Sequence, residues 1–166
     1  KGTVVKEITM EEAIVSGVTH NDKEVKFTLF GVPDQPGIAG TVFGSLSEIG
    51  TNVDMIVQNV SKESITDISF TAPSEQQKDV EDALKNISKQ LVAKGYDVDE
   101  NIARISIIGA GMKSESGVAS KMFKTLGDNK INISMISTSP IRVSCVISSN
   151  DIEKALNVLH EEFITN

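Results

Sequence analysis

The chain contains the same module twice, and that repeat constrains its fold more than any other feature. Gly37, Ala39, Phe43, Leu46, Asn52, Met55 and Ile56 each match the residue eighty positions later, namely Gly117, Ala119, Phe123, Leu126, Asn132, Met135 and Ile136. In each copy an apolar strand enters a loop ending in Gly, a short helix follows, and a further strand opens at an Asn. Gly31 and Gly109, where the loops begin, are only seventy-eight positions apart, so the second loop is two residues longer. Variable loops on a constant frame imply two related sites. A module of roughly 75 residues buries only about 60% of its unfolded surface and is marginal alone. Packing against the other module or against a second chain is therefore expected.

Val25, Phe27 and Leu29 alternate with Lys26 and Thr28 as a half-buried strand. Ile38, Val42, Leu46 and Ile49, with Ala39 and Phe43, recur at helical spacing up to Gly50, a natural helix stop. Strands are expected from Asn52 to Val60 and from Ser64 to Thr71. Ser74, with Gln77 as capping partner, opens a second helix whose stripe is Val80, Leu84, Ile87 and Leu91 and which ends at Gly95. Tyr96 to Asp99 closes the module as a brief strand. The order is strand, helix, strand, strand, helix, strand, a ferredoxin-like βαββαβ unit of the α+β class.

The second module repeats that order with strands at Arg104–Ile108, Ile131–Ser137 and Ile141–Ser148, a helix from Gly117 to Leu126, and a last helix after an Asn150-x-x-Glu153 cap. It ends without a fourth strand. Val4, Val5 and Ile8 predict a spare strand at the other end of the chain. There Thr9-Met-Glu-Glu12 has capping-box spacing for a small helix stopping at Gly17, and Val18 to Lys23 are turn formers. The strand from Thr3 to Ile8 is thus expected to complete the second module. Residues 18–99 form the first module, inserted into a second made of 1–17 and 100–166.

The net charge of −7 and a pI near 4.8 oppose binding to phosphate backbones or anionic lipid, and the lysines are scattered among acids. Nucleic acid and membrane are not expected partners. No apolar run approaches the ~20 residues of a membrane span, and the N-terminus lacks a signal-peptide pattern, so a cytoplasmic protein is expected. The start at Lys1 without Met suggests a fragment or a processed chain, so a longer biological polypeptide is an expectation. The lone Cys145 shares a strand face with Val143 and Ile147 and reads as a core thiol.

Catalytic chemistry is poorly represented, and no catalytic or metal-ligating set is assigned. Gly109-Ala-Gly111-Met-Lys-Ser114 begins like a dinucleotide loop but has Ser at the third Gly position, and it also lacks phosphate-loop spacing. His20 and His160 lie far apart in sequence, and runs such as Asp79 to Asp82 suit solvated helix faces. The glycine loops are more informative. Backbone amides at Gly37, Ile38 and Ala39, or at Gly117, Val118 and Ala119, open a helix beyond the end of a strand and suit a carboxylate. An RNA-binding pair of the same topology would need exposed aromatics on central strands, and a phosphotransferase would need a nucleotide loop. Neither is present.

Gly31-Val-Pro-Asp-Gln-Pro-Gly37, Asn52-Val-Asp-Met-Ile-Val-Gln-Asn59, Gly109-Ala-Gly-Met-Lys-Ser114 and Asn132-Ile-Ser-Met-Ile-Ser-Thr-Ser139 resemble the paired ACT domains of aspartate kinase. Those domains occur at the C-terminus of that enzyme or as its small regulatory subunit. The likeness covers essentially the whole chain. It implies a non-catalytic sensor of threonine, lysine or both, acting as a homodimer and with an aspartate kinase catalytic domain or subunit, where ATP and Mg would be bound. Another amino-acid-sensing ACT protein is the alternative. By motif, the resemblance assigns effector contacts to Asp34, Gly37, Ile38, Ala39 and Gln58, facing Asn132 and Ile133 of a neighbouring second module. The pseudo-equivalent site takes Met112, Gly117, Val118 and Ala119 with Asn52, Val53 and Asp54. Ser116 stands where the family usually has Pro, and Ser134 and Pro140 stand at positions that are often acidic.

Overall fold

The computed structural model describes residues 15–110 and 117–165. They separate into two compact units, Lys23–Glu100 and the described residues flanking it up to Asp22 and from Asn101. The first unit therefore interrupts the second in sequence.

In the inserted unit, β2 (Glu24–Pro33) leads to α1 (Ile38–Glu48), β3 (Ile56–Gln58), β4 (Ile65–Pro73), α2 (Gln77–Gln90) and β5 (Gly95–Asp99). The sheet order is β3-β4-β2-β5, antiparallel throughout, with β3 and β5 at the edges. Val25, Phe27 and Leu29 of β2 and Ile68, Phe70 and Ala72 of β4 point to one face. There they bury against Val42 and Leu46 of α1 and Val80, Leu84 and Ile87 of α2. Phe70 is central to this core, stacked on Phe27 with ring centroids 5.2 Å apart and met edge-on by Phe43 at 5.6 Å.

The other unit has the same architecture. β1 (Gly17–Asn21), β6 (Ile102–Ile108), β7 (Met135–Ser139) and β8 (Arg142–Ser148) form a sheet ordered β1-β6-β8-β7. Two helices, α3 (Val118–Asp128) and α4 (Ile152–His160), supply Met122, Leu126, Ala155 and Leu159 to a core with Ile105, Ile107, Val143, Cys145 and Ile147. No helix among the described residues is long and apolar enough to cross a membrane.

Among the described residues, a strand that the sequence did not mark stands at the edge of this second sheet. Gly17–Asn21, where the sequence predicts a helix stop at Gly17 and turn formers from Val18, pairs with β6 from Gly17 opposite Ile108 to Asn21 opposite Arg104. Its polar side chains conceal a strand held by backbone bonds to a neighbour ninety residues away. The segment Thr3–Ile8 and the Thr9–Glu12 cap lie outside the described residues. The boundary of the inserted unit accordingly falls at Lys23 instead of residue 18.

Helix starts also differ from the sequence pattern. Ser74 begins a short 3₁₀ turn and makes no side-chain cap. Gln76 joins this turn to the end of α1, accepting from the Asn52 amide at 3.2 Å and donating to the Gly50 carbonyl at 3.1 Å, while Gln77 is drawn to Glu81 and Glu100. At α4 the Ser148 hydroxyl accepts from the Asn150 amide, so the Asn150-to-Glu153 cap is replaced by a turn capped two residues earlier. Helix ends follow one rule. The amides of Thr51, Ala93 and Ile131 reach back to the carbonyls of Leu46, Ser88 and Leu126, which places Gly50, Val92 and Lys130 in the left-handed region at φ 75°, 52° and 63°. α2 thus ends at Gln90, and the left-handed residue that follows it is Val92, three residues before the glycine expected to end it.

Candidate functional site

The loop from β2 to α1 is shaped by two left-handed glycines. Gly31 (φ 62°) sits in a bulge, where the pairing of β2 with β4 shifts between Leu29 and Val32. Gly37 (φ 94°) is the residue before α1 and offers no side-chain cap. Between them, the Asp34 amide donates to the Ser64 carbonyl at 3.0 Å, and the Ile38 amide turns back to the Gln35 carbonyl at 3.3 Å. Among the described residues nothing accepts from the amides of Ala39 and Gly40. The Gly37 amide likewise has no acceptor among them, so the donors open to a carboxylate are those of Gly37, Ala39 and Gly40, and Ile38 is already engaged. Helix-terminal amides of this kind carry partial positive charge and favour an anion.

Gln58 lies at the same end of the sheet. It pairs with Ile68 on the edge strand β3, while Pro33, one residue before Asp34, pairs with Ile65 on the other side of β4. Asp34, Gly37 and Gln58 are exposed. Asn52, Val53 and Asp54 were expected inside a strand, but they precede β3, near the opposite end of β4, where the Asp54 amide donates to the Thr71 carbonyl. Val53 is half-buried against the core, and Asn52 is exposed.

In the second unit, Asn132 and Ile133 likewise precede β7, which starts at Met135, four residues later than expected. Ile133 packs on its own core, and Asn132 faces outward. Gly117, Val118 and Ala119 open α3, but Gly117 is right-handed, at φ −90°. Met112 lies outside the described residues. The structure thus gathers Asp34, Gly37, Ala39 and Gln58 at one sheet end, and leaves Asn132 and Ile133 on the separate unit.

Each unit exposes an apolar residue on a sheet edge, Ile56 at 53% and Ile136 at 45%, again eighty positions apart. Two neighbours of the loop escaped the sequence reading. Ser64 supplies the carbonyl that holds Asp34, and Asp67 Oδ1 accepts from the Gly31 amide at 2.9 Å. A glycine inside a strand pattern was the available signal for the bulge, but its partner depends on register. Neither side of the loop offers reactive groups. Cys145 is buried, and burial pushes its thiol up to about 12. No group of three His, Cys, Asp or Glu among the described residues could hold a metal. A concavity of about 570 Å³ between α1 and α2, lined by Ser45, Ile49, Asp79 and Ala83, lies away from the loop.

ACT-domain family models match residues 26–91 and 105–163. Aspartate kinase from Pseudomonas fluorescens is 45% identical over 161 residues, 97% of this chain and 39% of the relative. Aspartokinase from Helicobacter pylori is 46% identical over 151 residues, 91% of this chain and 37% of the relative. The chain thus spans about two-fifths of the length of these relatives. Among solved structures, the ligand-free regulatory subunit of aspartate kinase from Thermus thermophilus superposes with a TM-score of 0.86 at 35% identity, covering 90% of this chain and 99% of that one. A chain from a structure of aspartokinase alpha and beta subunits gives 0.85 at 38% identity, with 90% and 98% covered.

Proposed function

Because the chain belongs to the aspartate kinase family, as its paired ACT regulatory region, we propose that it senses threonine, lysine or both and sets the rate at which an attached or associated catalytic part phosphorylates L-aspartate. ATP and Mg act in that catalytic part. The observation that carries this reading is the left-handed Gly37, which leaves the Ala39 and Gly40 amides without acceptors beside the exposed Asp34 and Gln58. An α-amino acid fits such a place. Its carboxylate meets the amides, and its ammonium meets the Asp34 carboxylate and the Gln58 side-chain carbonyl.

The site is completed by a second copy of the chain, with Asn132 and Ile133 brought to β3 by pairing of the exposed edges at Ile56 and Ile136. Edge strands with exposed apolar residues are normally covered. In that dimer, Gly117, Val118 and Ala119 face Asn52, Val53 and Asp54 and form the related second site. Effector shared between two chains favours the joined arrangement by its differential affinity and holds the catalytic parts in a less active pose.

Thermal shift of this chain with threonine and lysine, singly and together, tests the reading. A ligand specific for the folded state adds roughly 2.7 kcal/mol at 100-fold excess over Kd, and Gln58→Ala removes most of that gain. If neither amino acid raises the melting temperature, or if Gln58→Ala responds like the parent, the assignment is wrong.

A further inference from the structure

We propose that Asp67, which makes no effector contact of its own, is the positioning residue that sets the spacing between the Gly31–Ala39 loop and Gln58. The inference rests on the sensing role given to that loop. Asp67 stands on β4 between the two halves of the site and holds both. Its side-chain oxygen accepts from the Gly31 amide at 2.9 Å inside the β2 bulge, and its backbone carbonyl accepts from the amide of Asn59, the residue after Gln58, at 3.0 Å. The direction in which β2 leaves the bulge decides where Asp34 and the Gly37 turn lie, because only Val32 and Pro33 remain in the strand beyond it. Without a side-chain acceptor the bulged amide would have to find another partner, and the strand would straighten toward regular pairing.

The repeat provides an internal control. At the matching place in the second unit, Ile108 pairs with Arg142 without a register shift, and the Gly109 amide donates to the backbone carbonyl of Ile141 at 2.9 Å. Among the described residues, the pairing of β6 with β8 there carries no bulge, and a backbone carbonyl takes the place of the side-chain acceptor. The left-handed Gly31 is confined as well, since a Cβ there would lie 2.6 Å from the Lys94 side chain. The side-chain pin on the bulged glycine amide is thus seen at Gly31 and not at Gly109. A preorganised loop binds more tightly because less ordering accompanies binding.

Isothermal titration with threonine and with lysine on the parent chain, Asp67→Ala, Asp67→Asn and Ile87→Val tests this, together with amide exchange at Gly31. Asp67→Ala is expected to weaken the binding amino acid at least tenfold and to speed exchange at Gly31. Asp67→Asn keeps the oxygen acceptor and restores affinity to within twofold of the parent. Ile87→Val thins the same core beneath α2 and leaves affinity unchanged, so a loss that merely follows stability would appear in it too. Parent affinity in Asp67→Ala, no rescue in Asp67→Asn, or an equal loss in Ile87→Val overturns the proposal. A parent chain that binds neither amino acid overturns the sensing role and this inference with it, a result distinct from the other three.

Discussion

Phe70→Ala should destabilise the inserted unit and spare the other. Phe70 is fully buried between Phe27 and Phe43, in the same buried cluster as residues of α1 and α2. Truncating a buried Phe to Ala costs about 3–5 kcal/mol, and the loss of two aromatic pairs places this site toward the upper end. A unit the size of Lys23–Glu100 has roughly 4–12 kcal/mol to lose, at 0.05–0.15 kcal/mol per residue. A loss of about 4 kcal/mol raises its open population on the order of a thousandfold, at 1.4 kcal/mol per factor of ten. Hydrogen exchange read by mass spectrometry resolves the two units. Peptides from β2, β4 and α2 should exchange about a thousandfold faster, while those from β6, β8 and α4 keep their protection, because the buried clusters have no residue in common. Amino-acid binding at the Gly37 loop should be lost in the open population. Equal loss of protection in both sets of peptides would show that the cores unfold as one, and unchanged exchange in β4 would show that the Phe70 cluster is not the keystone assigned to it.

Val92→Gly and Lys130→Gly should both stabilise the chain. An L-residue held left-handed costs about 1–2 kcal/mol, of which the extra freedom of Gly in the unfolded state takes back roughly 0.5–1. Gains of about 0.5–1 kcal/mol are expected from urea midpoints, larger at Val92, which is β-branched and 82% exposed, and a loss at either position would refute the helix-end assignment. Cys145 should give the chain an alkaline sensitivity. Its thiol rises from an ordinary 9.0 to about 12 on folding, so the neutral form contributes stability that is complete below pH 9 and lost as pH climbs toward 12. Urea midpoints of the parent should therefore approach those of Cys145→Ala between pH 9 and 11, and rapid labelling of the native thiol at pH 8 would contradict its burial.

The repeat alone determined most of the architecture. Matched residues such as Phe43 and Phe123, or Leu46 and Leu126, are matched because each must face the same kind of sheet, and a pattern at helical or strand spacing survives in sequence when one face is buried. The glycine loop was legible for a similar reason, since Gly37 stands where the backbone turns left-handed. What tertiary structure decided lies where partners are distant in sequence. Gly17–Asn21 has no apolar alternation to mark it and is a strand only because β6 offers an unpaired edge. Gln76 replaced the expected cap because the end of α1 supplied both an amide and a carbonyl within reach, and α2 ended at Gln90, before Gly95, because the turn into β5 required a left-handed residue at Val92. The role of Asp67 depends wholly on register. In sequence it is one polar residue on the outward face of a strand, and only the bulge opposite brings the Gly31 amide to its carboxylate.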